Sequence, residues 1–157
     1  MPNKPLEIFL FNNSGSNSCK DAHEYLADLL EVIQLRFIVH EPSLKGQEVN
    51  VIISDNTTIR QLNSQFRKID APTDVLAFPP DGELIGEVWL CPSVIKENAK
   101  KYDQEYEKEL IRVLIHGLLH IAGHDHEGSF SADCEQMETM FKVQEAILSD
   151  IEGKESS

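Results

Sequence analysis

Hydrophobic and polar residues follow two recurring patterns along the chain. Short apolar runs bounded by Pro, Gly, Asn or Asp are typical of strands, and the last of them ends at Cys91. Apolar residues three or four positions apart are typical of helices. Strands are therefore predicted at residues 6–11, 49–54, 74–78 and 84–91. Helices are predicted at residues 20–35, from a cap at Asn56 or Thr57 through residue 67, from a cap at Ser93 to 101, at 105–122 and at 131–150.

Most strands precede most helices, which predicts a small α+β domain in which a sheet of about four strands is covered by helices. The helix that begins near Glu105 is apolar nearly all round between Leu110 and Ala122, as expected for a helix in the centre of a domain. The length of 157 residues suits one domain, which we place at residues 1–152 with a frayed tail at 153–157.

Two of the predicted helices have distinct faces. In the helix after the second strand, the apolar spacing places Ile59, Leu62 and Phe66 in the core. The opposite face of that helix carries Arg60, Asn63 and Arg67. In the last helix, the predicted core positions are Met137, Met140, Phe141, Ile147 and Leu148.

The segment HGLLHIAGHDH, residues 116–126, carries histidines at a spacing that suits a metal ion. Residues four apart lie on one helix face, about 6 Å apart, so His116 and His120 can bind one ion. Gly123 can adopt the left-handed conformation that ends a helix, which would return His126 to the same ion. Three imidazoles leave one coordination position open, the pattern of a catalytic rather than a structural zinc site.

The third ligand has competitors. His126 is favoured over His124, because the interval of ten residues with glycine at the seventh step also occurs in the metzincin motif HExxHxxGxxH. Cys134 is a further candidate, although three histidines already complete an open site. The residue after His116 is Gly117, where a zinc peptidase carries its glutamate general base, so a peptidase is disfavoured. A glycine inside a helix predicts close packing or substrate access at that point.

Composition and charge restrict the function further. The chain has 27 acidic and 14 basic residues, a net charge of −13, which argues against a broad nucleic-acid-binding surface. A local positive strip or a bound dication would still suffice to bind phosphate. No apolar run is long enough to span a bilayer and the first residues lack signal-peptide features, so we expect no membrane partner and no export. Three cysteines without a CxxC pair suit reduced thiols in the cytoplasm.

Three segments occur in a fixed order along the chain: LNSQFRKIDAPTDVLAF (62–78), GEVWLC (86–91) and HGLLHIAGHDH. They resemble the LNxxYRxxDxPTDVLSF, GDIxIC-like and HGxLHLxGYDH motifs of the YbeY family of endoribonucleases, also described as rRNA maturation factors. Glu109, Leu110 and an MxxxxExIL-like stretch at 140–148 extend the resemblance over about residues 49–148. The chain departs from the family motifs at Phe66 for Tyr, Ala77 for Ser, Glu87 for Asp and His124 for Tyr.

The resemblance implies a mixed, mostly parallel four-stranded sheet covered by about five helices. It implies one divalent ion, usually zinc, held by His116, His120 and His126, and a functional arginine at Arg67. The implied activity is metal-dependent cleavage of single-stranded RNA, with Arg67 and His116 as catalytic residues and Arg67 binding substrate. The implied biology is maturation of the 3′ end of 16S rRNA and ribosome quality control in the bacterial cytoplasm, with the small ribosomal subunit and assembly factors as partners and no DNA substrate.

Two other functions remain open at this point. The chain could be a metal-dependent hydrolase of another substrate, such as an amide or ester. It could also be a ribosome assembly factor in which the metal is mainly structural. The sequence leaves the identity of the metal open as well, because imidazoles accept zinc, nickel, copper and iron. Asp74, Asp125 and Glu127 lie within sequence reach of the site, but none is an obvious general base.

Overall fold

The computed structural model describes residues 5–124 and 133–156, with the side chains of 5–124 and 138–153. Within this part, four strands form one sheet in the order β1-β2-β4-β3. The strands are β1 (Glu7–Asn12), β2 (Glu48–Ile53), β3 (Val75–Phe78) and β4 (Gly86–Leu90). Five α-helices surround them: α1 (Asn17–His40), α2 (Asn56–Arg67), α3 (Pro92–Lys101), α4 (Tyr106–Ile121) and α5 (Asp133–Ser156).

The sheet is mixed and mostly parallel. β1, β2 and β4 run parallel to one another, and β3 pairs antiparallel with β4 at one edge. The long helix α1 connects β1 to β2, which is the crossover that a parallel pair requires. The fold class expected from the sequence, a four-stranded mixed sheet covered by about five helices, is therefore confirmed.

The centre of the molecule is α4. Its apolar residues are almost completely buried between the sheet and helices α1, α3 and α5. Burial on every side explains why this segment is apolar nearly all round, as the sequence predicted. A helix held by so many neighbours is a rigid support for the histidines that it carries.

Several boundaries differ from the prediction because the caps are other residues. Asp55 caps α2, with its Oδ1 accepting from the Thr58 N–H at 2.9 Å, so neither Asn56 nor Thr57 is the cap. Cys91 precedes α3 and Pro92 occupies its first turn, where proline's missing N–H costs nothing.

Both long helices extend beyond the residues predicted for them. α1 reaches His40 because Phe37, which is fully buried, continues the apolar spacing as far as the break at Pro42. α5 continues past the predicted end at residue 150 to Ser156. The assignment of residues 1–152 to one domain stays a prediction.

Three predicted side-chain positions are wrong. Asn63 is buried, whereas the sequence pattern placed it on the solvent face of α2. Phe66 and Phe141, both predicted in the core, are 57% and 59% exposed. Met140, Ile147 and Leu148 are buried as predicted, while the side chain of Met137 lies outside those described. Among the helices of the described part, none is long and apolar enough to cross a membrane.

Candidate active site

An open cleft of about 460 Å³ lies where the end of α2 and strand β3 meet α4. It brings together residues that are far apart in sequence, among them His116 and His120 of the HGLLHIAGHDH segment and Arg67. The described residues that line it are Phe66, Arg67, Thr73, Asp74, Val75, Leu76, Ala77, Phe78, Pro79, His116, Gly117 and His120. The predicted catalytic arginine and two predicted metal ligands thus border one space.

His116 and His120 lie one helical turn apart on α4 and face each other. Their Nε2 atoms are 3.1 Å apart, and their ring centroids are 4.7 Å apart. Zinc–imidazole bonds are about 2.0–2.1 Å long, so both Nε2 atoms can reach one ion between them. Two nitrogen lone pairs at this separation repel each other unless a proton or a cation lies between them, so the donor atoms fit a divalent metal ion.

The end of α4 turns the chain as the sequence predicted. Gly123 has a φ of 104°, in the left-handed region that favours glycine. The N–H of Gly123 donates to the His120 carbonyl at 3.1 Å, and that of His124 donates to the Leu119 carbonyl at 2.9 Å. These two bonds form the Schellman motif that closes many helices. Helix α4 therefore ends directly after its second histidine.

The third ligand cannot be assigned from the described residues. His126, Asp125 and Glu127 lie outside them, as does the side chain of Cys134. The side chain of His124 turns to the end of helix α1, where its Nε2 lies 2.5 Å from Oε1 of Glu41, the residue after the helix. Among the described residues, no third His, Cys, Asp or Glu joins the two histidines, so His124 is not part of their group. The roles of His116, His120 and His126 as a ligand set stay a prediction.

Gly117 allows α4 to lie close against the sheet. A Cβ at this position would be 2.7 Å from Val88 Cγ1 and 3.2 Å from Val75 Cγ2. Real Cβ atoms do not approach another carbon at 2.7 Å, so any side chain here would push α4 away from β3 and β4. The sequence predicted either close packing or substrate access at this glycine, and the structure shows close packing.

Arg67 is the last residue of α2, and the turn that follows it is fixed by several contacts. Lys68 adopts the left-handed conformation, with a φ of 63°. The Asn63 side chain donates from Nδ2 to the Ala71 carbonyl at 2.9 Å, which explains why this polar residue is buried. On the exposed surface, the Arg60 guanidinium binds Asp70 through two hydrogen bonds and lowers the pKa of that carboxyl group. The Asn63 hydrogen bond and the turn at Lys68 hold Arg67 at the edge of the cleft. The exposed Arg60–Asp70 pair contributes little to this.

The sequence interpretation misplaced Phe66 and missed Gln144, whereas it named Asp74 as lying within sequence reach of the site. Phe66 is exposed at the cleft and packs edge-to-face on Phe78, with ring centroids 5.1 Å apart. Asp74 lines the cleft, which distinguishes it from the other acidic candidates, both outside the described residues. Gln144 of α5 contacts His116, with its Oε1 2.8 Å from His116 Nδ1.

The chain is similar to one known protein family and to a solved structure. The profile of the family described as "Endoribonuclease YbeY" matches residues 11–152. The protein of that name from Thermotoga petrophila is 35% identical over 146 residues, which cover 92% of this chain and 88% of the relative. Its namesake from Acetivibrio thermocellus is 32% identical, covering 91% and 95%. The solution structure of TM1509 from Thermotoga maritima is 34% identical, with a TM-score of 0.63 over 94% of this chain and 90% of that one.

Proposed function

Because the chain belongs to the YbeY family of endoribonucleases, we propose that it is a metal-dependent enzyme that cleaves single-stranded RNA in the cleft between α2, β3 and α4. The observation that carries this proposal is the shared cleft. It combines a pair of imidazoles that fit a divalent ion with an arginine on a separate element. Phosphodiester cleavage requires both a strong electrophilic centre and charge neutralisation on the phosphate.

His116, His120 and His126 would hold one ion, which we propose to be zinc. When bound, the ion would polarise the phosphate and activate water for attack at phosphorus. Arg67 would bind the non-bridging phosphate oxygens, because its planar guanidinium can donate two parallel hydrogen bonds to them. Asp74 supplies a carboxylate in the cleft that can accept the proton of the attacking water and return it to the ribose oxygen whose bond to phosphorus breaks. Gly117 in place of a glutamate argues against peptide hydrolysis.

The preference for single strands is supported by Phe66. Its exposed ring lies in the cleft beside Arg67 and rests on Phe78. An unpaired base can stack on such a ring, and a base inside a duplex cannot do so without leaving its helix. We place the bound RNA with its phosphate at Arg67 and a neighbouring base on Phe66.

The biological role that we propose is maturation of the 3′ end of 16S rRNA and ribosome quality control in the cytoplasm. The partners would be the small ribosomal subunit and its assembly factors. This role rests on the resemblance of the chain to its family, and the acidic surface supports it in one respect. A chain of net charge −13 gains little from general attraction to RNA, so a ribosomal partner would help to bring it to its substrate.

The proposed function is tested by offering the purified chain a labelled single-stranded RNA, the same RNA in a duplex, and a peptide library. Each substrate is assayed with a chelator, after zinc is restored, and with the His116→Ala variant. We expect cleavage of the single strand alone, loss of cleavage with chelator or in the variant, and recovery with zinc.

Each alternative function predicts a different result in this assay. Turnover of peptides would favour the hydrolase of another substrate. If no substrate is turned over and the metal-free chain unfolds, the assembly factor with a structural metal would be favoured. Cleavage that persists with chelator and in His116→Ala would contradict the metal-dependent mechanism.

A further inference from the structure

Gln144 of α5 is a buried polar residue that contacts His116 of the cleft. Only 7% of it is exposed, so both ends of its amide need hydrogen-bond partners. Its Oε1 lies 2.8 Å from His116 Nδ1, and its Nε2 donates to Glu145 Oε2 at 3.2 Å. The amide therefore bridges a predicted metal ligand and a carboxylate.

Glu145 fixes the orientation of this amide. An ionised carboxylate can only accept hydrogen bonds, so the amide nitrogen must face Glu145 and the amide oxygen must face His116. The reversed amide would place two oxygens 3.2 Å apart. Arg112 of α4 holds the carboxylate through two hydrogen bonds, from Nε at 2.9 Å and from Nη2 at 3.0 Å. The same contact lowers the pKa of Glu145, which keeps it ionised.

We propose that Arg112, Glu145 and Gln144 form a positioning relay that keeps the proton of His116 on Nδ1 and its lone pair on Nε2. The amide oxygen of Gln144 cannot donate, so the hydrogen bond between them requires His116 to donate from Nδ1. The lone pair of His116 then lies on the atom that faces His120. The relay rests on the proposed function in one respect, the assignment of His116 as a metal ligand.

The relay would prepare His116 for metal binding before any metal arrives. A ligating histidine usually donates its other ring N–H to an oxygen acceptor, which fixes its tautomer and ring orientation. Loss of such a partner typically weakens metal affinity about 10- to 100-fold. Gln144 is a positioning residue in this scheme, because it acts on the substrate only through His116.

The direct test is NMR of the metal-free, full-length chain with ¹⁵N-labelled histidine above pH 7.5. The signals of His116 are assigned by their loss in His116→Ala. We expect the neutral ring of His116 to be protonated at Nδ1. Protonation at Nε2 would overturn the relay, and this measurement needs no variant of Gln144 to fold.

Variants supply the second test, with zinc affinity measured by competition with a chelator. Gln144→Leu should lose the Nδ1–H tautomer and bind zinc about 10- to 100-fold more weakly. Gln144→Glu keeps an acceptor and should keep the tautomer. Gln34→Leu is a matched control, because Gln34 also accepts a hydrogen bond, from the Ile8 N–H at 2.6 Å, but lies on α1 whereas His116 and His120 lie on α4. The control should lose stability and keep zinc affinity.

The relay and the proposed function can fail separately. Unchanged tautomer and zinc affinity in Gln144→Leu would overturn the relay. A chain that binds no zinc, yet holds His116 protonated at Nδ1, would refute the metal-dependent function and retain the relay. A chain that binds zinc and cleaves RNA, with His116 protonated at Nε2, would refute the relay alone.

Discussion

Arg67 borders the same cleft as His116 and His120 but lies on a different element, so the proposed phosphate binding and metal binding can be separated by mutation. Arg67→Ala should lower kcat/KM on single-stranded RNA about 100-fold, the effect of removing one well-placed donor to a transition-state oxygen. Zinc content should be unchanged, because Arg67 is not a ligand. Arg67→Lys should have a kcat/KM between those of the wild type and Arg67→Ala, since lysine keeps the charge and loses the paired hydrogen bonds.

Arg60→Ala is the matched control for Arg67, because Arg60 lies on the same helix and is paired with Asp70 at the surface. Cleavage rates and zinc content are measured for all variants in parallel. A cleavage rate for Arg67→Ala equal to that of Arg60→Ala would remove Arg67 from the mechanism.

Phe66 should contribute to substrate affinity rather than to the chemical step. Stacking of a base on an aromatic ring contributes about 1–3 kcal/mol, so Phe66→Ala should raise KM for single-stranded RNA about 5- to 150-fold. Phe66→Tyr should retain the wild-type KM, because a phenol ring stacks as well. Phe141→Ala controls for the loss of an exposed ring, since Phe141 is 59% exposed and Phe66 57%. Equal KM values for Phe66→Ala and this control would exclude stacking on Phe66.

At the scale of elements, the contact of α4 with the sheet depends on Gly117. Alanine favours a helix by up to about 1 kcal/mol over glycine, but here its Cβ would clash with Val88 on β4. We expect Gly117→Ala to lower the free energy of unfolding by about 1–3 kcal/mol, the cost of overpacking a core, and to reduce cleavage because His116 moves with the helix.

Gly153→Ala is the control for Gly117, because Gly153 lies in α5 and a Cβ there would meet no atom of the described residues within 4 Å. It should leave stability unchanged or raise it by up to about 1 kcal/mol. Denaturant unfolding of both variants gives the comparison. A Gly117→Ala variant as stable as the wild type would show that α4 and β4 can separate without cost.

The sequence predicted best those elements that are determined locally. The apolar pattern of α4, the i,i+4 spacing of its histidines and the turn at Gly123 depend on neighbouring residues, so they were visible without a structure. The faces of α2 were partly misassigned, because the burial of Asn63 depends on the Ala71 carbonyl in the next loop. The helical pattern alone contains no information about that acceptor.

Parts of the candidate site had no local signal at all. Gln144 and His116 are 28 residues apart and lie on different helices. Their contact depends on how α5 packs against α4, and this packing is not encoded in the spacing of either helix. Phe66 was assigned to the core because it is apolar. The same position on the helix can instead line a cleft, as Phe66 does. Residues that serve a site can therefore break the rule that places apolar side chains inside.

The stability of the whole molecule should fall at acid pH as Glu145 becomes protonated. The hydrogen bond from Arg112 lowers the pKa of Glu145 below the ordinary 4.5, so the folded state holds the ionised form more strongly than the unfolded chain. This contribution is present above the unfolded pKa and is lost as the pH falls through the folded pKa. Glu145→Gln should cost about 1–3 kcal/mol at pH 7, and the difference from wild type should shrink below pH 4.5. Unfolding curves from pH 7 to pH 3 would show a constant difference if the ion pair contributed nothing.

The net charge of −13 predicts a weak dependence of RNA binding on salt. Each phosphate of a single strand that a protein neutralises contributes about 0.7 to the slope of log affinity against log salt. The cleft has one arginine and no lysine among its described lining residues, so one or two neutralised phosphates should give a slope of about 0.7–1.4. Salt also screens the repulsion between the acidic surface and RNA, which reduces the slope further.

Between 50 and 200 mM salt at fixed zinc, KM for single-stranded RNA should therefore rise about 3- to 7-fold or less. Arg67→Ala should flatten the slope by about 0.7, because one phosphate contact is lost. Arg60→Ala, which removes the same charge outside the cleft, should leave the slope unchanged. A wild-type slope of about 3 or more would require at least four cationic contacts. In that case the described cleft would be only part of the RNA-binding surface.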